Sequence, residues 1–367
     1  RKPEMKVVVI GGGIAGMGMA IMLEKMGMEY AICERSGFNP KIGHAFLLHA
    51  DGYSLIEIMD RNVGESLKAN RITEFHIQNY STAELNHEIL DSWYAIKRSD
   101  LLEHMRKSFD NSNLQSDREF SHFLYKGGEA IAAVFTNGKI EYGDVFIGAD
   151  GSNSAVRKQI MPEIDMKYSE IKEVVSLSKF SLPAIYDNRC TKFHDEENQL
   201  AFGMIPVNVS EAVWYIQYNY ESTGFHSRDP YIMKDFCLYK TRNFPSVVAE
   251  LIEATDFENA YLWDTKDFDA LPSFSKGNVG LIGDAAHLCL PFTSAGTTNA
   301  LVDALTLSSC LEGFDSPIEA FSEFYNLRIP TISKHIDIGR RLKNNFLVPA
   351  QKDHSLVVPL FVDRRAS

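Results

Sequence analysis

The sequence predicts an α/β fold: a parallel sheet, a sheet-rich region interleaved with it, and helices at the C-terminal end. Three observations carry this. Residues 6–10, 14–26 and 30–33 read as strand, helically spaced segment and strand, the β-α-β unit that opens a parallel sheet. Residues 145–149 and 279–282 are two further short apolar strands, each running into a glycine turn. From about residue 171 to 220 the pattern changes to longer strands rich in Val, Phe, Tyr and Ile.

The elements follow in order. The first strand ends in Gly11-Gly12-Gly13-Ile14-Ala15-Gly16, which supplies glycines in GxGxxG spacing. Gly11 permits the tight strand-to-helix turn, Gly13 leaves room for a pyrophosphate, and Gly16 lets the helix pack closely on the sheet. The helix start, with Ile14 and Ala15, offers free N–H groups to an anion. Glu34 ends the second strand, where a carboxylate accepts from ribose hydroxyls. With strand, helix, strand and acid in place, the segment reads as a Rossmann-like dinucleotide site. Residues 99–109 form a helix, and 119–147 a meander with Asn137-Gly138 as its hairpin turn. The strand at 145–149 leads into Asp150-Gly151 and a helix from about residue 153. After the central strands come helices near 229–239 and 244–254. The strand at 279–282 then delivers Gly283-Asp284 at its carboxyl end, where open α/β sheets bind ligands. Helices at 298–311 and 318–342 close the chain, the second with a kink expected at Pro330. His287 has no paired ligand at metal spacing and reads as structural, and no metal is expected.

Size and composition narrow the field. The chain has 367 residues, enough for two domains or one large domain with an insertion, and no repeat or low-complexity linker. Its formal charge of −12 argues against nucleic acid, whose phosphates need a basic surface. The five cysteines are scattered, with no CxxC, which argues against a disulfide framework or zinc site and for reduced thiols in a cytoplasmic protein. No run reaches the roughly 18 apolar residues of a membrane span.

Taken together and in this order, the three motifs resemble the class A flavoprotein monooxygenases, the para-hydroxybenzoate hydroxylase-like group, over nearly the whole chain. Arg98-Ser99-Asp100-Leu101-Leu102 at a helix start and Tyr325-Asn326-Leu327-Arg328-Ile329-Pro330 near the end add to the likeness. The resemblance implies FAD held by Gly11, Gly13, Ile14, Ala15, Gly16, Glu34, Arg35, Arg98, Asp150, Gly283, Asp284, Pro291, Gly296 and Thr297. It implies NADPH or NADH as a transient donor, since no second GxGxxG exists, and O2 as co-substrate. The implied reaction is hydroxylation of an aromatic or polycyclic small molecule through a flavin C(4a)-hydroperoxide, with no obligatory catalytic side chain. A reductase or oxidase of the same fold, or a non-catalytic FAD-binding protein, is the alternative.

The implied division is an FAD-binding domain at 1–70, 95–168 and 272–315, a substrate domain at 71–94 and 169–271, and a helical segment at 316–367, in a monomer or weak dimer. Around residues 286–305 the wording is most similar to the tetracycline-inactivating monooxygenases, which makes tetracycline a candidate substrate. Ser294 stands where the family usually has the first glycine of a GxG. Trp214, with Phe202 on the preceding strand, is the expected substrate wall, on the reasoning that the Ala212, Trp214, Ile216, Tyr218 face of its strand is the more apolar and aromatic one, and the resemblance adds Pro291.

Overall fold

A computed structural model describes residues 5–37, 44–59, 67–81, 83 and 85–356. Residues 1–4 and 357–367 of the expected domains lie outside the described residues. The β-α-β unit is present as Lys6–Ile10, helix Ile14–Lys25 and Glu29–Cys33. Its strands join a six-stranded sheet in the order Ser275–Lys276, Val279–Leu281, Val145–Gly148, Lys6–Ile10, Glu29–Cys33, Leu114–Gln115. All neighbours run parallel except the Ser275–Lys276 edge. Parallel strands are covered on both faces, and Val7, Val8 and Val9 accordingly have no exposed surface.

An eight-stranded sheet holds the central strands in the order Tyr261–Asp267, Lys167–Ser178, Glu211–Asn219, Leu200–Asn208, Arg189–Asp195, Asn70–Asn79, Leu85–Lys97, Ala45–Leu48. It is antiparallel except where Arg189–Asp195 meets Asn70–Asn79. Ala45–Leu48 and the end of Leu85–Lys97 belong to this sheet although their residue numbers fall in segments expected for the cofactor domain. Leu85–Lys97 runs directly into helix Arg98–Arg106, so Arg98 sits at the junction of the two sheets. The meander is a separate three-stranded sheet, with Gly138 at φ +81° in its turn.

One face of the eight-stranded sheet carries Phe202, Trp214, Ile216 and Tyr218 and packs on helices Pro230–Lys240 and Ser246–Glu253 through Met233, Cys237 and Leu251. The other face carries Tyr215, Gln217, Lys192 and Glu173, and looks toward the long helix Pro317–Leu347. That helix continues through Pro330. Among the described residues no helix is long and apolar enough to cross a membrane.

Candidate functional site

The first glycine motif forms the floor of a cleft of about 490 Å³, lined also by Glu34, Arg35, Arg98, Asp150 and Gly151. Gly11 has φ +114°, and a Cβ there would lie 2.2 Å from the Ala149 carbonyl oxygen. A Cβ on Gly16 would lie 1.8 Å from the Gly11 oxygen, so the helix presses directly on the turn. Ile14 and Ala15 form the first helical turn behind this floor. The Glu34 carboxylate accepts from Gly12 N–H at 2.7 Å and from Ser36 N–H at 3.1 Å. The Arg98 guanidinium reaches to 4.0 Å from where a Gly13 Cβ would be. Arg106 and Arg118 line the same cleft. The cleft thus holds four arginines together with Glu34, Glu103, Glu119 and Asp150, so groups that donate to phosphate oxygens stand beside acids that accept from hydroxyls. Neither Arg106 nor Arg118 belongs to any motif string, so sequence reasoning missed both.

Asp150 has a second task. Its carboxylate accepts from Ser154 Oγ at 2.5 Å and from the Ala155 and Val156 N–H groups at 2.8 and 3.1 Å. It therefore satisfies the free donors at the start of helix Ala155–Ile160. Burial raises its carboxyl pKa, against the pull of these hydrogen bonds. Arg157, in the same helix, donates to the carbonyls of Ala285 (3.0 Å) and Ser152 (2.6 Å) and tethers the Asp150-Gly151 turn to the Gly283 turn.

The Gly283 turn rests on a buried charge network. Asp303 is fully buried. Its Oδ2 accepts from Gly283 N–H at 2.8 Å and lies 2.5 Å from His287 Nε2, while its Oδ1 accepts from Arg328 Nε at 2.7 Å. Arg328 also donates to Asn299 Oδ1 at 3.1 Å, and the Asn299 amide meets His335 Nδ1 at 2.7 Å. His287 is thus a member of a structural network. Asp303 and Arg328 were in view as part of the family wording, but only the fold shows that they hold the Gly283 turn. Asp284 itself projects into open space from that turn, yet protein surrounds its other sides. This enclosure raises its carboxyl pKa, with Asp303 adding to the rise and His287 opposing it.

Pro291 is exposed, and Gly296 and Thr297 open the helix Gly296–Gly313, whose N-terminus has no side-chain cap. Ser294 adopts φ +53°, the left-handed conformation that a glycine takes most easily. Nearby, His49 lies 3.9 Å from Trp93 between ring centroids, and burial lowers its pKa to about 4. His49 Nε2 and Thr298 Oγ1 are buried with no partner among the described residues. The cleft without Cβ atoms, the four arginines, and these two unsatisfied atoms beside an uncapped helix start fit a dinucleotide with a polar ring system.

A second cavity, of about 350 Å³, is lined by Phe292. Phe75, Ile77, Lys192, His194 and Gln217 line it from the sheet, and Leu342 and Phe346 from the long helix. Phe202 and Trp214 do not reach it, which corrects the expected substrate wall. Both are fully buried on the opposite face, stacked on each other at 5.5 Å. The indole N–H of Trp214 donates to Ser178 Oγ (3.0 Å) and Thr255 Oγ1 (2.9 Å). The aromatics of that face cover the two helices behind the sheet. The pocket face is the more polar one. Trp214→Phe is therefore expected to lower stability by about 1–2 kcal/mol through the lost hydrogen bonds, with kinetic constants unchanged. Denaturation midpoints and steady-state kinetics on the same preparation check both halves, and a changed KM would return Trp214 to the pocket.

Glu74, His76 and His87 converge across paired strands, with potential ligand atoms within 4.8 Å of one another, a grouping that no sequence spacing showed. Arg189 already holds the Glu74 carboxylate through Nε (3.2 Å) and Nη2 (3.1 Å).

Comparison with known proteins agrees with this geometry. The FAD binding domain family matches residues 4–313. The 3-amino-4-hydroxybenzoate 2-monooxygenase of Streptomyces cremeus is 24% identical over 361 residues, covering 94% of this chain and 89% of its own. Klebsiella pneumoniae HpxO, solved with FAD and uric acid, superposes with a TM-score of 0.83 at 18% identity, covering 95% of this chain and 90% of its own. The tetracycline destructase Tet(51) superposes with a TM-score of 0.71 at 21% identity, over 94% of this chain and 91% of its own. The chain belongs to the FAD binding domain family and is a class A FAD-dependent monooxygenase.

Proposed function

We propose that the enzyme inserts one oxygen atom from O2 into an aromatic small molecule held in the cavity beside Phe292, with NADPH or NADH as electron donor. The observation that carries this reading is the position of that cavity. It adjoins the loop of Pro291 and Phe292, which leads into the uncapped helix at Gly296 and Thr297. FAD, when bound, supplies the electron transfer and the oxygen activation. The chain's own residues bind, orient and shield. In this reading Gly11, Gly13, Ile14, Ala15, Gly16, Glu34, Arg35 and Arg98 hold the ADP half. Asp150, Gly283 and Asp284 hold the middle of the cofactor, and Pro291, Gly296 and Thr297 border its ring. The N-terminal end of helix Gly296–Gly313 favours negative charge on that ring. Neutral His49 presents Nε2 as a hydrogen-bond partner there. Phe75, Ile77 and Phe292 exclude water from the reacting ring.

In this reading the cofactor domain spans 1–70, 95–168 and 272–315, apart from Ala45–Leu48 and residues 95–97 in the eight-stranded sheet, the substrate domain 71–94 and 169–271, and the helical segment 316–367. The relatives support an aromatic substrate, one being named for an aminohydroxybenzoate and another carrying uric acid. Tetracycline remains one member of the panel to screen, because a tetracycline destructase shares the fold. The test follows NADPH and NADH consumption over a panel of aromatic compounds, with mass spectrometry for gain of one oxygen. Substrate-stimulated consumption that yields only hydrogen peroxide across the panel would overturn the hydroxylase reading.

Asp284→Ala is expected to weaken FAD binding by about 1–3 kcal/mol, the worth of a hydrogen bond to a charged group. His287→Ala, which loosens the turn from behind, should cost fold stability first and FAD affinity less. FAD dissociation constants of both variants check the order. A larger loss for the His287 variant would show that Asp284 does not face the cofactor.

A further inference from the structure

We infer that Lys192 is a specificity-determining residue that selects an aromatic substrate carrying an ionised oxygen substituent, a carboxylate or a phenolate. This rests on the reading of the Phe292 cavity as the substrate site and names the substrate's charge.

Lys192 lies in the middle of strand Arg189–Asp195, between Ile77 and Gly203 of the neighbouring strands, and is only 8% exposed. It lines the cavity. Its Nζ has no hydrogen bond or ion pair among the described residues, and its nearest ring is Tyr215, 5.8 Å away at the centroid. A buried ammonium without a counter-charge is costly, because desolvation is not offset.

The neighbours do not supply that counter-charge. Among the described residues Glu173 is the acid whose field reaches Lys192, but its Oε1 is taken by the Gln217 amide at 2.7 Å, and burial raises its carboxyl pKa toward the neutral form. Burial keeps Cys190 a thiol, with its pKa pushed up to about 12, and keeps the Tyr215 phenol protonated. His194, two positions on and on the same face, is held neutral by burial and by Lys192. Lys352 and Glu196 both line the cavity and pair at 2.9 Å, so their charges offset each other, and the Asp195 carboxylate is taken by Ser81 Oγ (3.0 Å) and the Asn198 amide (2.6 Å). Lys192 thus stands in the polar wall as a buried ammonium without an ion pair among the described residues, facing an apolar side of Phe75, Ile77, Phe292 and Phe346.

Burial lowers the Lys192 pKa to about 8, partly opposed by Glu173, which leaves most of it protonated at neutral pH. The neighbouring His194 Nε2 is also buried without a partner among the described residues. An ammonium and an unsatisfied imidazole nitrogen two residues apart, facing an apolar slot, match a flat ring with an anionic oxygen at one end. The volume of about 350 Å³ accommodates one or two fused rings.

The test uses FAD-loaded enzyme and matched probes. Hydroxybenzoates and hydroxynaphthoates are each compared with their carboxamides, and nitrophenol with nitroanisole. Binding is measured by calorimetry and by perturbation of the flavin spectrum. The wild type should prefer the anionic member of at least one pair by roughly 30-fold, the lower end of what a desolvated charge pair contributes. The carboxylate and phenol pairs distinguish which oxygen anion is read. Lys192→Met should erase the preference while neutral probes and FAD retention stay unchanged. Glu173→Gln, which keeps the lysine and an oxygen acceptor for the Gln217 amide, should leave the preference in place, because Glu173 does not supply the counter-charge. Equal binding of charged and neutral members by the wild type, or a preference that survives Lys192→Met, overturns the inference and leaves the cavity reading intact. Failure of every probe to bind or to perturb the flavin overturns the cavity reading and the inference with it.

Discussion

Gly11→Ala is expected to abolish tight FAD binding. Two independent costs meet at this residue. Its φ of +114° lies in a region that side chains other than glycine rarely adopt. The added methyl would also lie 2.2 Å from the Ala149 oxygen and 2.8 Å from the Asp150 nitrogen. Those are backbone atoms beside a parallel strand pair, with the Ala149 N–H already bonded to Ile10 oxygen at 2.7 Å, so no side-chain rotation clears the space. The turn itself must shift, carrying with it Gly12, whose N–H is held by Glu34. Strain of about 1–3 kcal/mol from the backbone and a similar amount from overpacking together lower affinity by roughly 100-fold or more. Gly37→Ala is the control. Gly37 lines the same cleft, but a Cβ there meets nothing within 4 Å. Titration of each apo-variant with FAD by flavin fluorescence reads the two constants. A Gly11→Ala variant that binds FAD as tightly as the control would show that the turn relaxes freely, and the cradle would lose its assigned role.

The turns that build the first cleft and the Gly283 segment were legible from sequence because they are local. A glycine at a positive φ, a helix start and an acid at a strand end act through neighbours in the chain, and GxGxxG, Asp150-Gly151 and Gly283-Asp284 record them as short strings. The central strands were also legible, since alternation marks a strand wherever it pairs. Which face of a strand meets the cavity was not. Alternation separates Trp214 from Tyr215 but cannot say which set meets helices and which meets ligand, and the aromatic set went to the helices. Residues whose role depends on distant partners stayed hidden for the same reason. Lys192 looks like a solvated charge in the string Cys190-Thr191-Lys192-Phe193, and only the tertiary fold shows that it is buried beside a cavity. Arg118 reaches the cleft of the first glycine motif from the segment beyond Leu114–Gln115, with no motif to announce it.

Asp303→Asn is expected to cost about 3–5 kcal/mol, because it leaves Arg328 buried without its counter-charge. Asp303 is 0% and Arg328 5% exposed, so water cannot take over the lost interaction. Burial alone would raise the Asp303 pKa, but His287 and Arg328 outweigh it and hold the carboxyl below its ordinary value of 3.8. The sign follows from linkage. A carboxylate with a depressed folded pKa contributes stability that is present above the unfolded pKa and is lost as pH falls through the folded value. The gap between wild type and Asp303→Asn should therefore be widest near neutral pH and shrink below about pH 4, near the ordinary aspartate pKa. Arg328→Met alone should be similarly destabilising. The double variant Asp303→Leu, Arg328→Met should recover part of the loss, since both buried charges leave together. Denaturation midpoints across the pH range for the three variants supply the comparison. The turn adds a functional readout, because Asp303 holds Gly283 N–H at 2.8 Å and so aims Asp284. The double variant can regain stability, but it lacks the acceptor for Gly283, and its FAD affinity should stay lowered. Full recovery of FAD binding along with stability would show that the Gly283 turn keeps its shape without Asp303, and that the network serves the fold alone.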